Sequence, residues 1–376
     1  MTIEGLSKDA TFVFIDDKTF TVEDLTELLS GDNEHIPIIV DENSLSNFLG
    51  IQSKTLWWAR INKNNLYKTF KIPKKNKKGK TKFRHLCDPE QRLKYIQKQI
   101  ANKILSKFEL PEYITGFRKG VSIVDTAKIH AGKKIVMSLD IENFFPSIKQ
   151  WHVNVMLRML FKYPDSVNRL ISELVTFHNF VPQGAPTSPI ISNLVSYAFF
   201  DKEVKELSDK YQLNYTRYAD DLTFSTNKDY PKLSEPSESN PNIPIKSELD
   251  DFVNSITLIC KKHGFKINKY KTKYMRGVAR KWVLGTVVNK EPNILRYKYN
   301  IIRAILHNIN LNGLEKEASK TGRTKIEFIS WVKGLLLFLK QVNPQKGGLL
   351  LDDFNLILKA DNGSEEDITE VKLLFE

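Results

Sequence analysis

Residues 216–224 read TRYADDLTF, an alternating run broken by the acidic pair Asp220-Asp221. Widened to 213–226, LNYTRYADDLTFST, the pattern predicts two strands joined by a tight turn at Ala219-Asp220-Asp221. An acid pair in a hairpin can be turn chemistry alone, because aspartate side chains bond their own backbone. A Tyr-x-Asp-Asp would arise by chance in roughly 4% of chains of this length and composition, so its companions decide its meaning. The first companion is KKIVMSLDI (133–141), an apolar strand that ends on Asp140. Two strand ends bringing Asp140, Asp220 and Asp221 together would form an oxygen-rich, strongly negative pocket, stable only with hard cations in it. Two Mg²⁺ ions about 4 Å apart in such a pocket can activate an attacking hydroxyl and stabilise a departing pyrophosphate.

The charge around these acids points the same way. The 376 residues carry 57 Lys+Arg against 44 Asp+Glu, a formal net charge of +13. Residues 1–50 hold 11 acidic and 2 basic residues, 352–376 hold 8 and 2, and the intervening 51–351 hold 53 basic against 25 acidic. Within that middle, 54–87 has 12 Lys/Arg and no acid, and 252–290 has 10 and none. Trp57, Trp58, Tyr67, Phe70 and Phe83 interleave the first block, and Tyr270, Tyr274 and Trp282 the second. Cations beside stacking rings suit nucleic acid better than lipid, whereas lysines alone would suit a merely solvated face. A 41% hydrophobic fraction with 22 Phe excludes global disorder. Two cysteines, Cys87 and Cys260, are too few for a disulfide framework or a four-ligand zinc site. The acidic N-terminus lacks a signal-peptide pattern and no apolar run reaches the ~20 residues of a membrane span, so a soluble cytoplasmic protein is expected.

Along the chain, TFVFIDD (11–17) reads as a strand and TVEDLTELLS (21–30) as a helix capped by Thr21. One or two helices follow from Ser44, then a strand LYKTFKIP and a lysine-rich hairpin around Gly79. Helices are expected at 89–108, 151–161, 165–177, 186–211 and 248–263, short strands at 265–267 and 282–288, and helical pattern throughout 297–341. The stretch 227–247, with four prolines and no periodicity, reads as a loop. Helices wedged between acid-bearing strands indicate α+β or α/β.

Four segments now resemble one family in its own order and approximate spacing. SLDIENFF (138–145), VPQGAPTSPIISNL (181–194), TRYADDLTF (216–224) and GFKINKYKT (264–272) look like the successive palm motifs of reverse transcriptases. The resemblance covers about 55–345 and implies an α+β right-hand polymerase: an acidic segment 1–50, fingers 51–132, a palm 133–290 with an antiparallel sheet and the loop 227–247, a helical RNA-binding thumb 291–350, and an acidic tail 351–376. Carried over by position, it makes Asp140, Asp220 and Asp221 the ligands of two Mg²⁺, with Mn²⁺ as a substitute, and the Ile141 carbonyl completes one site. Phe145 takes the place of the aromatic beneath the sugar, where a ring would collide with a ribose 2′-OH. Packing in the core is the plainer reading of the same ring. Lys82 and Arg84 match the fingers' Lys-x-Arg that grips the incoming triphosphate. Gln183 and Gly184 match the loop lying against template and nucleotide, and Lys271 the position that meets the leaving pyrophosphate.

Within the family the form resembles bacterial retron enzymes. GFRKGVSIVDTAKIHAGKK resembles the retron insert ending in Asn-Ala-x-x-His, here Thr126-Ala127-Lys128-Ile129-His130, and Val283-Leu284-Gly285 stands for Val-Thr-Gly. Thr126 and Leu284 depart from that pattern. The resemblance implies a structured noncoding RNA as template and primer, a branched or processed single-stranded DNA product joined to RNA, and a separately encoded effector in antiphage defence, with no membrane partner. His130, Lys333 and Lys340 are the expected RNA contacts, although a lone histidine is more often a satisfied structural residue. Another defence-associated or group II intron-like reverse transcriptase, or a decayed RNA-binding scaffold, is the alternative. The sequence leaves the oligomeric state open.

Overall fold

The computed structural model describes residues 12–15, 18–21, 35–75, 81–230 and 248–361. The helix expected at 21–30 and most of the loop at 227–247 lie outside the described residues; Thr21 itself ends a strand. The chain divides into two compact units built from separated stretches. The first comprises Met1–Lys119, Leu139–Leu222 and Tyr230–Thr272, the second Gly120–Ser138, Thr223–Asp229 and Lys273–Glu376.

An N-terminal hairpin, β1 (Phe12–Ile15) and β2 (Lys18–Thr21), precedes two helices, α1 (Glu42–Leu49) and α2 (Ser53–Asn62). Helix α1 starts with an Asp41/Ser44 capping box and ends at Gly50 in the left-handed region, φ 70°. The lysine-rich block then forms the expected antiparallel hairpin, β3 (Tyr67–Lys75) and β4 (Thr81–Pro89), with Tyr67 opposite Pro89 and Ile72 opposite Arg84. Helix α3 (Gln91–Lys103) buries Leu93, Ile96 and Ile100, the spacing that announced it.

A four-stranded sheet has the order β6-β7-β5-β8, with β5 at Ile135–Asp140, β6 at Asn214–Tyr218, β7 at Asp221–Thr226 and β8 at Lys273–Arg276. Strand β8, which the charge-rich sequence concealed, pairs antiparallel to β5 from Ile135 opposite Arg276 to Ser138 opposite Lys273. The strand expected at 265–267 is reduced to a bridge between Ile267 and Ile141. The strand expected at 282–288 is instead a minimal hairpin, Trp282–Val283 and Thr286–Val287, turning on Leu284 (φ 47°) and Gly285 (φ 85°). Positive φ at both central residues is the turn whose twist matches paired strands.

In the second unit, helices Arg296–Asn312, Leu314–Lys320, Lys325–Val342 and Pro344–Asp361 bury Leu306, Phe328, Val332, Leu336, Leu339 and Phe354 together. A Thr324/Glu327 capping box starts the third. The fourth carries regular structure past the boundary expected at 350, because Leu351 and Phe354 belong to the core. Among the described residues no helix is long and apolar enough to cross a membrane.

Candidate functional site

The acidic turn and the end of β5 are neighbours. Asp140 is the last residue of β5 and is 7% exposed. The next residue, Ile141, donates its N–H to the Asp220 carbonyl at 2.9 Å. The other edge of this stretch is fixed by Asn268 N–H on the Asp140 carbonyl (2.7 Å) and Glu142 N–H on the Lys266 carbonyl (2.8 Å). In a strand the N–H and C=O of one residue serve the same edge, so the Ile141 carbonyl faces the Asp220 side. Ala219, at φ 55°, makes the turn that delivers Asp220 and Asp221.

Among the described residues no group of three His, Cys, Asp and Glu side chains is placed to hold a metal ion. The Asp140 carboxylate instead receives Lys271, whose Nζ donates to both oxygens at 2.8 and 2.7 Å. Lys271 thus stands against Asp140 as its counter-charge. The donor chemistry of the stretch, carboxylates and a strand carbonyl with no sulfur or imidazole, fits a hard divalent cation.

Phe145 lies in the short helix (Phe144–Ser147) that follows this stretch and is half-buried. Its ring centroid is 5.6 Å from Phe144 and 6.2 Å from Phe117. Phe117 is also 6.1 Å from Tyr218, the residue before the acidic turn, and adopts φ 58° with 45% of its surface exposed. Sequence reasoning passed over Phe117. Its place is set by a parallel bridge between Ile114 and Arg217, with Thr115 N–H on the Arg217 carbonyl at 2.9 Å. Gly116 is needed there because a Cβ would stand 2.7 Å from the Ala219 nitrogen.

Beneath the turn lies a second missed feature. Arg217 and Asp201 are wholly buried, with Arg217 Nε and Nη2 donating to the Asp201 carboxylate at 2.9 and 2.7 Å. Arg217 Nη1 also donates to Asn193 Oδ1 at 3.0 Å, and Asn193 Nδ2 donates to the Gly116 carbonyl at 2.7 Å. Asp201 is supplied by a π-helical turn, Tyr197–Asp201, between helices Ser188–Ser196 and Lys202–Lys210. Burial, then the Asp201 carboxylate, hold the Tyr215 hydroxyl pKa well above its ordinary value, so it donates to Asp201 Oδ1 at 2.7 Å. A period-3.6 reading marks Asp201 as one more polar helix position; only the fold shows that it is buried.

Lys82 and Arg84 lie two residues apart on β4, opposite Lys74 and Ile72, and Arg84 is exposed. Farther along β4, Cys87 N–H donates to the Gln183 carbonyl at 2.9 Å. Gly184, at φ 123°, has its missing Cβ 3.0 Å from the Cys87 carbonyl oxygen, so the loop lies against the strand bearing the two cations. Lys333 is half-buried, and Lys340 is exposed in the last turn of its helix.

His130 corrects an expectation. Its ring is 0% exposed and Nδ1 meets Ser225 Oγ at 2.7 Å, so this conformation offers RNA no surface of it. Burial, with Lys133 nearby, pushes its pKa down to about 3. An unfolded histidine titrates near ~6.5. Stability that the neutral ring contributes is therefore complete above that value and falls as pH drops toward the folded pKa. Wild type should lose up to ~2 kcal/mol more than His130→Asn between pH 6.5 and 5. Parallel urea midpoints for the two proteins across that range would contradict this.

Comparison with known proteins identifies the family. Residues 72–329 match the model of the family described as reverse transcriptase (RNA-dependent DNA polymerase), and the chain belongs to that family. Among curated proteins it is 30% identical over 282 residues to the retron Ec86 reverse transcriptase of Escherichia coli, covering 74% of this chain and 80% of the relative. It is 28% identical to the retron Mx162 reverse transcriptase of Myxococcus xanthus, over 82% of this chain and 65% of that one. To the retron Se72 reverse transcriptase of Salmonella heidelberg it is 37% identical over 50% of this chain, about half (48%) of the relative's length. These matches place it with the bacterial retron-type enzymes, in the right-hand polymerase fold class of the family. A telomerase from Candida albicans, in complex with a fragment of telomeric RNA, overlaps 84% of this chain and 66% of its own at 13% identity and a TM-score of 0.40.

Proposed function

We propose that this protein is an RNA-directed DNA polymerase that copies part of a cognate structured noncoding RNA into single-stranded DNA. The observation that carries this reading is the Ile141–Asp220 hydrogen bond, which sets Asp140 beside Asp220-Asp221 in a chain of the reverse transcriptase family. A divalent-metal-dependent polymerase follows from the family; we assign two Mg²⁺ ions, replaceable by Mn²⁺. Asp140, Asp220, Asp221 and the Ile141 carbonyl would hold them. When bound, they would supply an activated 3′-hydroxyl and charge neutralisation on the leaving pyrophosphate.

The remaining steps belong to the chain's own groups. Lys82 and Arg84, on the fingers hairpin, bind the triphosphate of the incoming nucleotide. Gln183 and Gly184 give the nucleotide a close-fitting backbone floor. Lys271 compensates the Asp140 carboxylate until substrate arrives, then offers its ammonium to pyrophosphate. In this reading 51–132 are fingers, 133–290 the palm and 291–350 the thumb, where Lys333 and Lys340 meet RNA phosphates. The RNA serves as template and primer, the product is an RNA–DNA hybrid species, and an effector protein completes a cytoplasmic antiphage system.

Phe145 excludes ribonucleotides by filling the 2′ position. Phe145→Val should lower the dNTP-over-rNTP ratio of kcat/KM by ~10- to 200-fold, the range of a lost steric contact. A ratio equal to wild type would assign Phe145 to the core. The retron reading is tested by sequencing nucleic acid that copurifies with the protein and mapping a 2′–5′ linkage in it; random cellular RNA with no attached DNA would remove it.

A further inference from the structure

The second unit holds a basic concavity that the polymerase reading leaves unused. It measures about 440 Å³ and is walled by Arg296, Arg303 and Lys346, with Tyr299, Asn293 and Asn300 between them. Arg296, Tyr299, Asn300 and Arg303 are spaced i, i+3, i+4 and i+7, so one face of the helix Arg296–Asn312 presents them together. Lys346 arrives from the start of the helix Pro344–Asp361. Its Nζ lies 5.2 Å from the Tyr299 ring centroid, and Arg303 Cζ lies 5.9 Å from the same ring. The ring thus gathers two cations that would otherwise repel each other.

Among the described residues none of these three cations pairs with a carboxylate. Asn293 spends its amide oxygen on the Ile294 N–H at 2.9 Å, which leaves its NH₂ group as a donor. Three cations and an amide donor without an acid call for an anion. The floor is apolar, with Ile294 and Leu339 buried beneath it. A site charged at its wall and apolar at its floor, of a volume usual for small-molecule pockets, suits a phosphate carried on a ring system.

We infer that this concavity binds a phosphorylated nucleotide, with Arg296, Arg303 and Lys346 on the phosphate and the apolar floor under the sugar or base. That the carrier is a nucleotide rests on the polymerase reading; that the group is a phosphate rests on the concavity itself. A strand end and a free nucleotide present the same chemistry.

The test uses the full chain and three probes, an RNA oligonucleotide with a 5′-phosphate, the same oligonucleotide with a 5′-hydroxyl, and AMP. R303A/K346A should bind the phosphorylated oligonucleotide, or AMP, at least about tenfold more weakly than wild type, since two charge-assisted contacts are lost. Which of the two probes responds identifies the source. Y299F, which keeps the ring, should bind as wild type does. K298A/K359A removes two exposed cations of the same unit from other places and should leave the affinity unchanged. Equal loss in K298A/K359A, equal loss for the 5′-hydroxyl probe, or no loss in R303A/K346A would each overturn the site. Primer extension on a homopolymer RNA template, unchanged in R303A/K346A, reports the polymerase separately, so failure here and failure there are distinct results.

Discussion

Asp220→Asn/Asp221→Asn protein should fold as wild type does and lose DNA synthesis on an RNA template by at least about a thousandfold, the scale of removing charge that holds catalytic metal. The substitution keeps size and hydrogen-bonding shape, and asparagine is a turn residue in its own right, so the hairpin between β6 and β7 survives. The Asp220 carbonyl that accepts Ile141 N–H is backbone and is untouched. What disappears is negative charge where two acid-bearing strand ends adjoin. Primer extension with labelled dNTPs in Mg²⁺ and in Mn²⁺ measures the loss, and a far-UV spectrum and urea midpoint matching wild type show that the fold is kept. Synthesis near the wild-type rate would remove Asp220 and Asp221 from the chemistry.

The sequence made the chemistry more legible than the supports beneath it. That Asp140, Ile141, Asp220 and Lys271 are neighbours was readable because each sits in a short motif resembling those of one family. The hairpin β3–β4 was readable because strand alternation acts locally. Strand β8 was not, since KYMR carries one exposed and one half-buried cation and no alternation; its pairing with β5 is a tertiary fact. The run 282–288 looked like one strand because nothing marks Leu284 as able to adopt φ 47°. For His130 the motif suggested RNA while a lone histidine is more often a satisfied structural residue, and its 0% exposure follows from packing that no local pattern encodes. Phe117 and Asp201 were missed for the same reason: one is an aromatic in a loop, the other an acid on a helix, and each acquires meaning only from residues about a hundred or about sixteen positions away.

Arg217→Met should cost ~3–5 kcal/mol of stability, because it strands Asp201 as an unpaired charge in a fully buried site. Both partners are 0% exposed, and Arg217 spends Nε, Nη1 and Nη2 on Asp201 and Asn193. Asp201→Leu should be comparably damaging, leaving the guanidinium and the Tyr215 hydroxyl without their acceptor. The double variant Arg217→Met/Asp201→Leu should be more stable than the sum of the two losses predicts, by ~1–3 kcal/mol, since no buried charge then remains uncompensated. Urea midpoints of the four proteins give that coupling directly, and additivity would mean the two side chains do not act as a pair. Synthesis should not recover with stability. Arg217 Nη1 holds Asn193, Asn193 holds the Gly116 carbonyl, and Gly116 rests on Ala219 at the acidic turn, so the double variant keeps an apolar core yet loses the link that fixes Phe117 and the turn. Stability restored in the double variant with primer extension still depressed is the result that separates an ion pair serving the fold from one serving the site.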